Sequence, residues 1–343
     1  MPYDHERYSR QVRFGPLGDD GQEKLSRSRV VIVGCGALGG ASAMALARAG
    51  VGSLRLIDRD LPEISNLPRQ VLFDEQDVRD GVPKAVAAKR RLERINGAVA
   101  IEAEVADLTR HTADRLLGGA DCIVDGTDNF EARFLVNEFA CREGIPWVHG
   151  GAIGAEGRVL PVRPGETACL RCLIPEPPAA GVLPTCETAG ILGPAALVVG
   201  AVQAAEAIKL LAGVKRTGNS LLACDLWEGA WRTIDLSPLA VTGCPTCRGR
   251  DFPWLEGRAG GSAVAMCGRH AVQLGGGAAG SIDLASLAER LRAIGPVTAN
   301  PWLVRLDVET GIQLSVFADG RAIVSGTRDE SRARAIVSRY VGT

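Results

Sequence analysis

Arg29-Val-Val-Ile-Val33, then Gly34-Cys-Gly36-Ala-Leu-Gly39, then Asp58 is the stretch on which the fold turns. A β-branched run is followed by a glycine turn and a helix-like segment, Ala37–Ala49, and Ser53–Asp58 is again strand-like, so the whole reads as one βαβ unit. The glycines let a phosphate approach backbone N–H groups at the positive end of the helix. Asp58 lies 19 residues beyond Gly39 and is a carboxylate able to accept from both hydroxyls of a ribose. That pattern fits an adenine nucleotide without choosing between NAD and ATP.

Outward from this unit the alternation continues. Lys84–Asn96 reads as a helix, Val99–Val105 as a strand, His111–Leu117 as a helix, Asp121–Asp125 as a buried strand, Asn129–Glu143 as a helix and Pro146–His149 as a strand. Such alternation predicts an α/β fold with a doubly wound, Rossmann-like, mostly parallel sheet. Gly150–Pro164 reads as a hairpin, Pro175–Pro184 as a mobile loop and Pro194–Leu211 as a long helix, followed by strands near Ser220–Asp225 and Ala230–Leu236. The first domain is expected to span residues 1–250. Residues 251–343 contain no lysine and carry a helix at Leu284–Ile294, strands around Leu303–Val308 and Gln313–Phe317, a hairpin signal at Ala318-Asp-Gly320 and a last helix at Glu330–Tyr340. They are expected to form a small α+β module.

Composition narrows the function classes. Of 343 residues 46% are apolar and 23% charged, which supports a sizeable core and excludes wholesale disorder. Lys plus Arg number 39 against 40 Asp plus Glu, so no whole-molecule field favours nucleic acid or an anionic membrane as partner. Val30 to Ala47 is free of charge over a length that suggests a membrane helix, but Gly34, Gly36, Gly39 and Gly40 fit a strand, turn and helix instead. The opening MPYDHERYSR has no apolar core, so the expectation is a cytoplasmic protein without leader or anchor. Its ten cysteines are then expected to be reduced and to signal metal binding or reactivity.

Cys169-Leu-Arg-Cys172 and Cys244-Pro-Thr-Cys247 each offer two thiolates to a tetrahedral ion. Their separation exceeds the usual ribbon spacing of roughly 15–20 residues, so one site requires two distant loops to meet. Structural Zn²⁺ outweighs paired redox motifs or four buried cysteines. Cys186, at the end of the expected mobile loop, is a candidate thiolate nucleophile, whereas Cys122, Cys141 and Cys224 read as packing residues, Cys35 lies inside the glycine turn and Cys267 is unassigned.

Ser65-Asn66-Leu-Pro-Arg69-Gln, Lys84 and Asp125-Gly-Thr-Asp128-Asn129 place two cations and an acid–amide pair near successive strand ends. Cations offset charge developing on a triphosphate, and Asp128 can hold Mg²⁺. Lys84 is one of only five lysines and stands at a helix start behind Gly81-Val-Pro83. His5, His111, His149 and His270 form no visible constellation with a carboxylate, which disfavours a nicotinamide enzyme.

Taken together, Tyr8-Ser-Arg10-Gln, the glycine turn, Asp58, Ser65-Asn-Leu-Pro-Arg69-Gln, Lys84, Thr127-Asp128-Asn129 and both CxxC pairs resemble the ThiF/MoeB/HesA family, relatives of ubiquitin-activating enzymes. The resemblance covers roughly residues 3–250 and is carried by joint occurrence. It implies ATP-dependent adenylation of the C-terminal glycine of a small β-grasp sulfur carrier ending in Gly-Gly, giving acyl-adenylate and pyrophosphate ahead of thiocarboxylate formation. By position it implies that the turn Gly34, Gly36, Ala37 and Gly39 faces the nucleotide and that Asp58 faces the ribose. Asn66, Arg69 and Lys84 would face the phosphates, with Ser65 and Asn129 also at the nucleotide and Asp128 at the Mg²⁺. Arg10 would cross a homodimer, and Cys186 would take the activated carrier or sulfur from a donor such as a cysteine desulfurase or rhodanese. Cys267 is followed six residues later by Gln273, which departs from the arginine-closed loop of a rhodanese. The competing readings are an NAD-dependent oxidoreductase on the same turn and an inactive carrier-binding scaffold.

Overall fold

The β-branched Arg29–Val33 run forms a central strand because it is apolar on both faces, as a parallel strand covered by helices must be. The computed structural model describes residues 3–178, 186–214, 219–240, 243–259, 271–275 and 282–341. The chain divides into two compact units, Met1–Ala259 and Gly260–Thr343.

The first unit opens with α1 (His5–Val12) and α2 (Gly18–Arg27), two helices for which the sequence reading had no element. Then come β1 (Arg29–Val33), α3 (Ala37–Ala49), β2 (Ser53–Ile57), a 3₁₀ turn at Ile64–Asn66, α4 (Glu75–Arg79), α5 (Lys84–Ile95), β3 (Ala100–Glu104), α6 (Ala113–Leu117), β4 (Cys122–Asp125) and α7 (Phe130–Glu143). The remainder is β5 (Trp147–Ile153), β6 (Glu156–Val162), α8 (Leu170–Leu173), α9 (Cys186–Ala189), α10 (Gly193–Leu211), β7 (Ser220–Asp225), β8 (Ala230–Asp235) and α11 (Ser237–Ala240).

These strands make one eight-stranded sheet in the order β3-β2-β1-β4-β5-β6-β7-β8. The first five run parallel and the last three antiparallel. Between β1 and β4 the order reverses, the switch point at which sheets of this kind form a crevice outside the carboxyl ends of their strands. The strand expected at Pro146–His149 and the hairpin expected from Gly150 are continuous, since β5 runs through Gly150 and Gly151 into β6.

Helix α10 is long and apolar enough to cross a membrane by length and composition. It serves here as a core helix: a Cβ on Gly200 would lie 2.7 Å from the carbonyl oxygen of Leu38, and the Ser42 hydroxyl donates to the Gly200 carbonyl at 2.9 Å. On the other face of the sheet Phe134, Phe139, Trp147, Leu160 and Val162 build a core that also takes in Phe252, Trp254 and Leu255. The backbone N–H groups of Trp254 and Leu255 donate to Glu138 of α7 at 2.9 and 3.0 Å, which ties this segment to the first unit.

The second unit contains β9 (Ala271–Leu274), α12 (Leu284–Arg292), β10 (Val297–Ala299), β11 (Leu303–Glu309), β12 (Ile312–Phe317), β13 (Ala322–Ser325) and α13 (Glu330–Tyr340). Its five strands are antiparallel in the order β10-β11-β12-β13-β9, and Leu287, Leu291, Val304, Leu314, Val324 and Ile336 fill the core between sheet and helices. Asp283 and Asp329 cap the two helices.

Candidate functional site

Three glycines make the turn after β1. Gly34 has a φ of +86°, and a Cβ on Gly39 would stand 1.8 Å from the Gly34 carbonyl oxygen, so both positions exclude a side chain. Gly126, after β4, packs on them: its N–H reaches the Val33 carbonyl at 2.8 Å, and a Cβ there would meet Gly34 at 2.6 Å. The start of α3, with Gly36 as cap and Ala37 as first residue, therefore opens into the crevice.

Asp58 directly follows the adjoining strand, β2. Its two oxygens take the N–H of Cys35 and the N–H of Asp60, each at 2.7 Å. Burial pushes its carboxyl above the ordinary range, while the Lys84 ammonium holds it down. Lys84, buried at the start of α5, donates its backbone N–H to the Asp60 carbonyl at 2.9 Å and holds its ammonium 3.6 Å from the Asp60 carboxylate. The 3₁₀ turn lies alongside. Asn66 is buried and caps the turn by accepting from the Glu63 N–H, Arg69 donates to the Ser65 carbonyl at 2.6 Å, and Gln70 lies 3.7 Å from where a Cβ on Gly36 would be. Glycine turn, Asp58, Lys84 and the Ser65–Gln70 segment thus meet at one opening.

At the end of β4 the structure corrects the reading of the histidines. His149 of β5 lies 2.7 Å through Nδ1 from the carboxylate of Asp125, both buried, and the Arg133 Nε stands 3.7 Å from the same oxygen. Despite burial, which acts to raise it, the Asp125 carboxyl is held below its usual range by His149, Arg133 and Thr127. Burial lowers the pKa of His149. The parallel register that sets Val124 opposite Val148 brings these two groups together, a consequence invisible along a sequence in which they are 24 residues apart. Asp128 and Asn129 follow on the crevice side, Asp128 exposed and Asn129 capping α7 through Ala132 N–H at 2.9 Å.

Four thiols converge at the other side of the unit. The sulfurs of Cys169, Cys172, Cys244 and Cys247 all lie within 4.8 Å of one another, as the paired motifs predict. Asn137 of α7 braces the cluster, its side-chain oxygen taking Leu170 N–H at 2.9 Å and its amide nitrogen reaching Cys169 Sγ at 3.7 Å. Buried Cys141, read from sequence as packing, lies in the same buried core as Cys169.

Arg10 is not brought to the opening of its own chain. Tyr8 packs on Gly50, which ends α3 with φ +79°, and its hydroxyl meets the Asn96 amide at 2.7 Å just past α5. Both helices begin at the crevice and end at α1, so Arg10, exposed on α1, lies about a 12-residue helix length, roughly 18 Å, from the opening of its own chain. The backbone of Cys186 starts α9, which leads to Gly190, whose carbonyl takes the Gly154 N–H at 3.0 Å beyond β5. The Cys186 side chain, Cys267 and most of the expected mobile loop, residues 179–185, lie outside the described residues.

Comparison with known proteins places this geometry. The model of the ThiF family matches residues 8–246. The Bacillus subtilis sulfur carrier protein ThiS adenylyltransferase is 43% identical over 337 residues, covering 98% of this chain and 99% of its own. A Thermus thermophilus sulfur carrier protein adenylyltransferase is 41% identical, covering 71% of this chain and 90% of its own. Among solved structures, E. coli MccB with ATP superposes with a TM-score of 0.60 at 27% identity, covering 72% of this chain and 75% of that one. With the family model spanning the glycine turn, Asp58, Lys84 and both cysteine pairs, and relatives above 40% identity, this chain belongs to the ThiF family.

Proposed function

We propose that this protein adenylates the C-terminal glycine of a small β-grasp sulfur carrier at the expense of ATP, releasing pyrophosphate. What carries the reading is the convergence of Asp58, Lys84 and the Arg69 segment around one glycine turn, in a chain matched over both units by the Bacillus subtilis ThiS adenylyltransferase.

In this reading the N–H groups of the Gly34–Gly39 turn and of Ala37 face the phosphates, and Asp58 accepts from the ribose hydroxyls. Asn66, Arg69 and Lys84 hold the β- and γ-phosphates, with Ser65 at their edge. A carrier carboxylate oxygen attacks the α-phosphorus, the bond from that phosphorus to the bridging oxygen breaks, and pyrophosphate departs against the cations. No proton moves, so the reaction needs no acid or base. Asp128 is the residue to hold Mg²⁺, which would neutralise phosphate charge when bound, with Asn129 beside it at the nucleotide.

The four thiols fit a structural zinc: they are all-sulfur, mutually close and fill a tetrahedron, leaving no open position for catalysis. Arg10 lies too far from its own crevice to serve it, which supports a homodimer in which each chain lends Arg10 to the other. Cys186 is the candidate to take the acyl group from AMP or sulfur from a desulfurase or rhodanese donor. Catalysis is assigned to the first unit, which the structure extends from the expected 250 to Ala259, and the unit from Gly260 to Thr343 to carrier docking or dimer packing. Reduced thiols and an ATP-dependent reaction accord with a cytoplasmic enzyme.

Intact-mass measurement of a β-grasp carrier incubated with ATP and Mg²⁺ tests the reaction. An added AMP on the full carrier, absent from a tail-truncated carrier and from the Lys84→Ala enzyme, is the expected result; an unmodified carrier under all conditions points to a scaffold.

A further inference from the structure

The carboxylate of Asp125 is wholly buried, yet the loop it begins ends in an exposed acid, Asp128. A carboxylate in that position is tolerated only with dedicated partners. One of its oxygens takes both the N–H of Thr127 at 2.9 Å and the Thr127 hydroxyl at 2.6 Å, and the other faces His149 and Arg133. Arg133 also donates to the Thr127 carbonyl at 2.8 Å, so three atoms of Thr127 are fixed. The flanking backbone is fixed as well: Gln203 donates to the Asp125 carbonyl at 2.7 Å, Gly126 to Val33 at 2.8 Å, and Asn129 caps α7. Among the described residues none hydrogen-bonds to the Asp128 side chain, which lies within electrostatic reach of the Arg59 guanidinium, while both of its neighbours are held.

We infer that Thr127, Asp125 and Arg133 are positioning residues for Asp128, a clamp that presents its carboxylate to nucleotide-bound Mg²⁺ at a fixed place. This rests on the assignment of Asp128 to the cation. Preorganised ligands save the ordering cost that a free loop pays on binding, so the clamp acts on the metal-dependent part of ATP affinity and leaves nucleoside recognition at Asp58 alone.

Calorimetry on the whole protein, without carrier, separates the two parts: ATP binding with and without Mg²⁺, and AMP binding without Mg²⁺. Thr127→Val keeps the shape and the backbone bond and deletes the hydroxyl; Thr127→Ser restores the hydroxyl. The clamp predicts that Val reduces the Mg²⁺-dependent tightening of ATP by about tenfold, with AMP affinity unchanged, and that Ser behaves as wild type. Should the Val variant not fold, Arg133→Gln removes the hold on the Thr127 carbonyl and must give the same pattern. Asp128→Asn separates the failures. If Asp128→Asn loses the tightening and Thr127→Val keeps it, the clamp is overturned; if Asp128→Asn keeps it, the assignment of Asp128 falls and the clamp with it. Equal loss of AMP and ATP binding in Thr127→Val means a structural defect and also overturns the inference.

Discussion

The backbone N–H of Cys35 donates to Oδ2 of Asp58 at 2.7 Å, so the turn after β1 and the end of β2 share one carboxylate. The other oxygen takes Asp60 N–H, and Asp60 in turn holds Lys84. The residue proposed to face a ribose is thereby joined to the glycine turn on one side and, through Asp60, to Lys84 on the other. Replacing Asp58 by Ala is expected to weaken AMP binding roughly ten- to hundredfold, and by Asn less, because Asn keeps one acceptor oxygen. Titration calorimetry measures both, and an Asp58→Ala protein that binds AMP as wild type refutes the ribose assignment.

Glu138 predicts a pH dependence of stability. Burial pushes its carboxyl from 4.5 up to about 7, against the N–H groups of Leu255 and Trp254 that favour the anion. The folded state therefore binds the proton more tightly than the unfolded chain, and the contribution of this group falls as pH rises from about 4.5 to about 7, then stays flat. Glu138→Gln keeps an acceptor for Trp254 and Leu255 without the charge. Its Tm is expected to exceed that of the wild type at pH 8 and to lose the decline across that window; thermal melts over a pH series show either outcome.

Removing a cluster thiol is expected to cost the metal and the tie between the α8 and Cys244–Cys247 segments. Cys169→Ser should purify with well under the about one zinc per chain expected of wild type, and should melt earlier, as should wild type treated with a strong chelator. Elemental analysis beside circular dichroism distinguishes this from simple core damage: a variant that melts early yet keeps its zinc contradicts the assignment.

The dimer is tested by complementation. Arg10→Ala and Lys84→Ala are each expected to be inactive, but an equimolar mixture that exchanges subunits should recover about a quarter of wild-type activity, since half the dimers are mixed and each of these holds one complete site. An active Arg10→Ala protein, or a mixture that stays inactive after verified exchange, counts against a shared arginine.

Where chemistry follows local pattern, the sequence was readable. The β1–α3–β2 unit, α10 with its Pro194 start and the Ala318–Gly320 hairpin all form where periodicity and turn residues place them. The four thiols meet although 75 positions separate Cys169 from Cys244, because paired spacing announces a shared ion even when it does not announce the loops. The Asp125–His149 contact left no such mark, arising only from the register of two strands. Helices α1 and α2 escaped because both are rich in charge, and α1 buries only Tyr8 against the chain. Asp60 carries no mark in the sequence, because only the fold sets its carboxylate 3.6 Å from the Lys84 ammonium.

ATP–pyrophosphate exchange with purified protein, Mg²⁺ and β-grasp carriers ending in Gly-Gly bears most directly on the whole account. Exchange is expected with one such carrier, to vanish when its last two glycines are removed, and to be lost in Lys84→Ala. No exchange with any carrier, from protein that is folded, metal-loaded and able to bind ATP, would contradict the assignment of acyl-adenylation to this crevice.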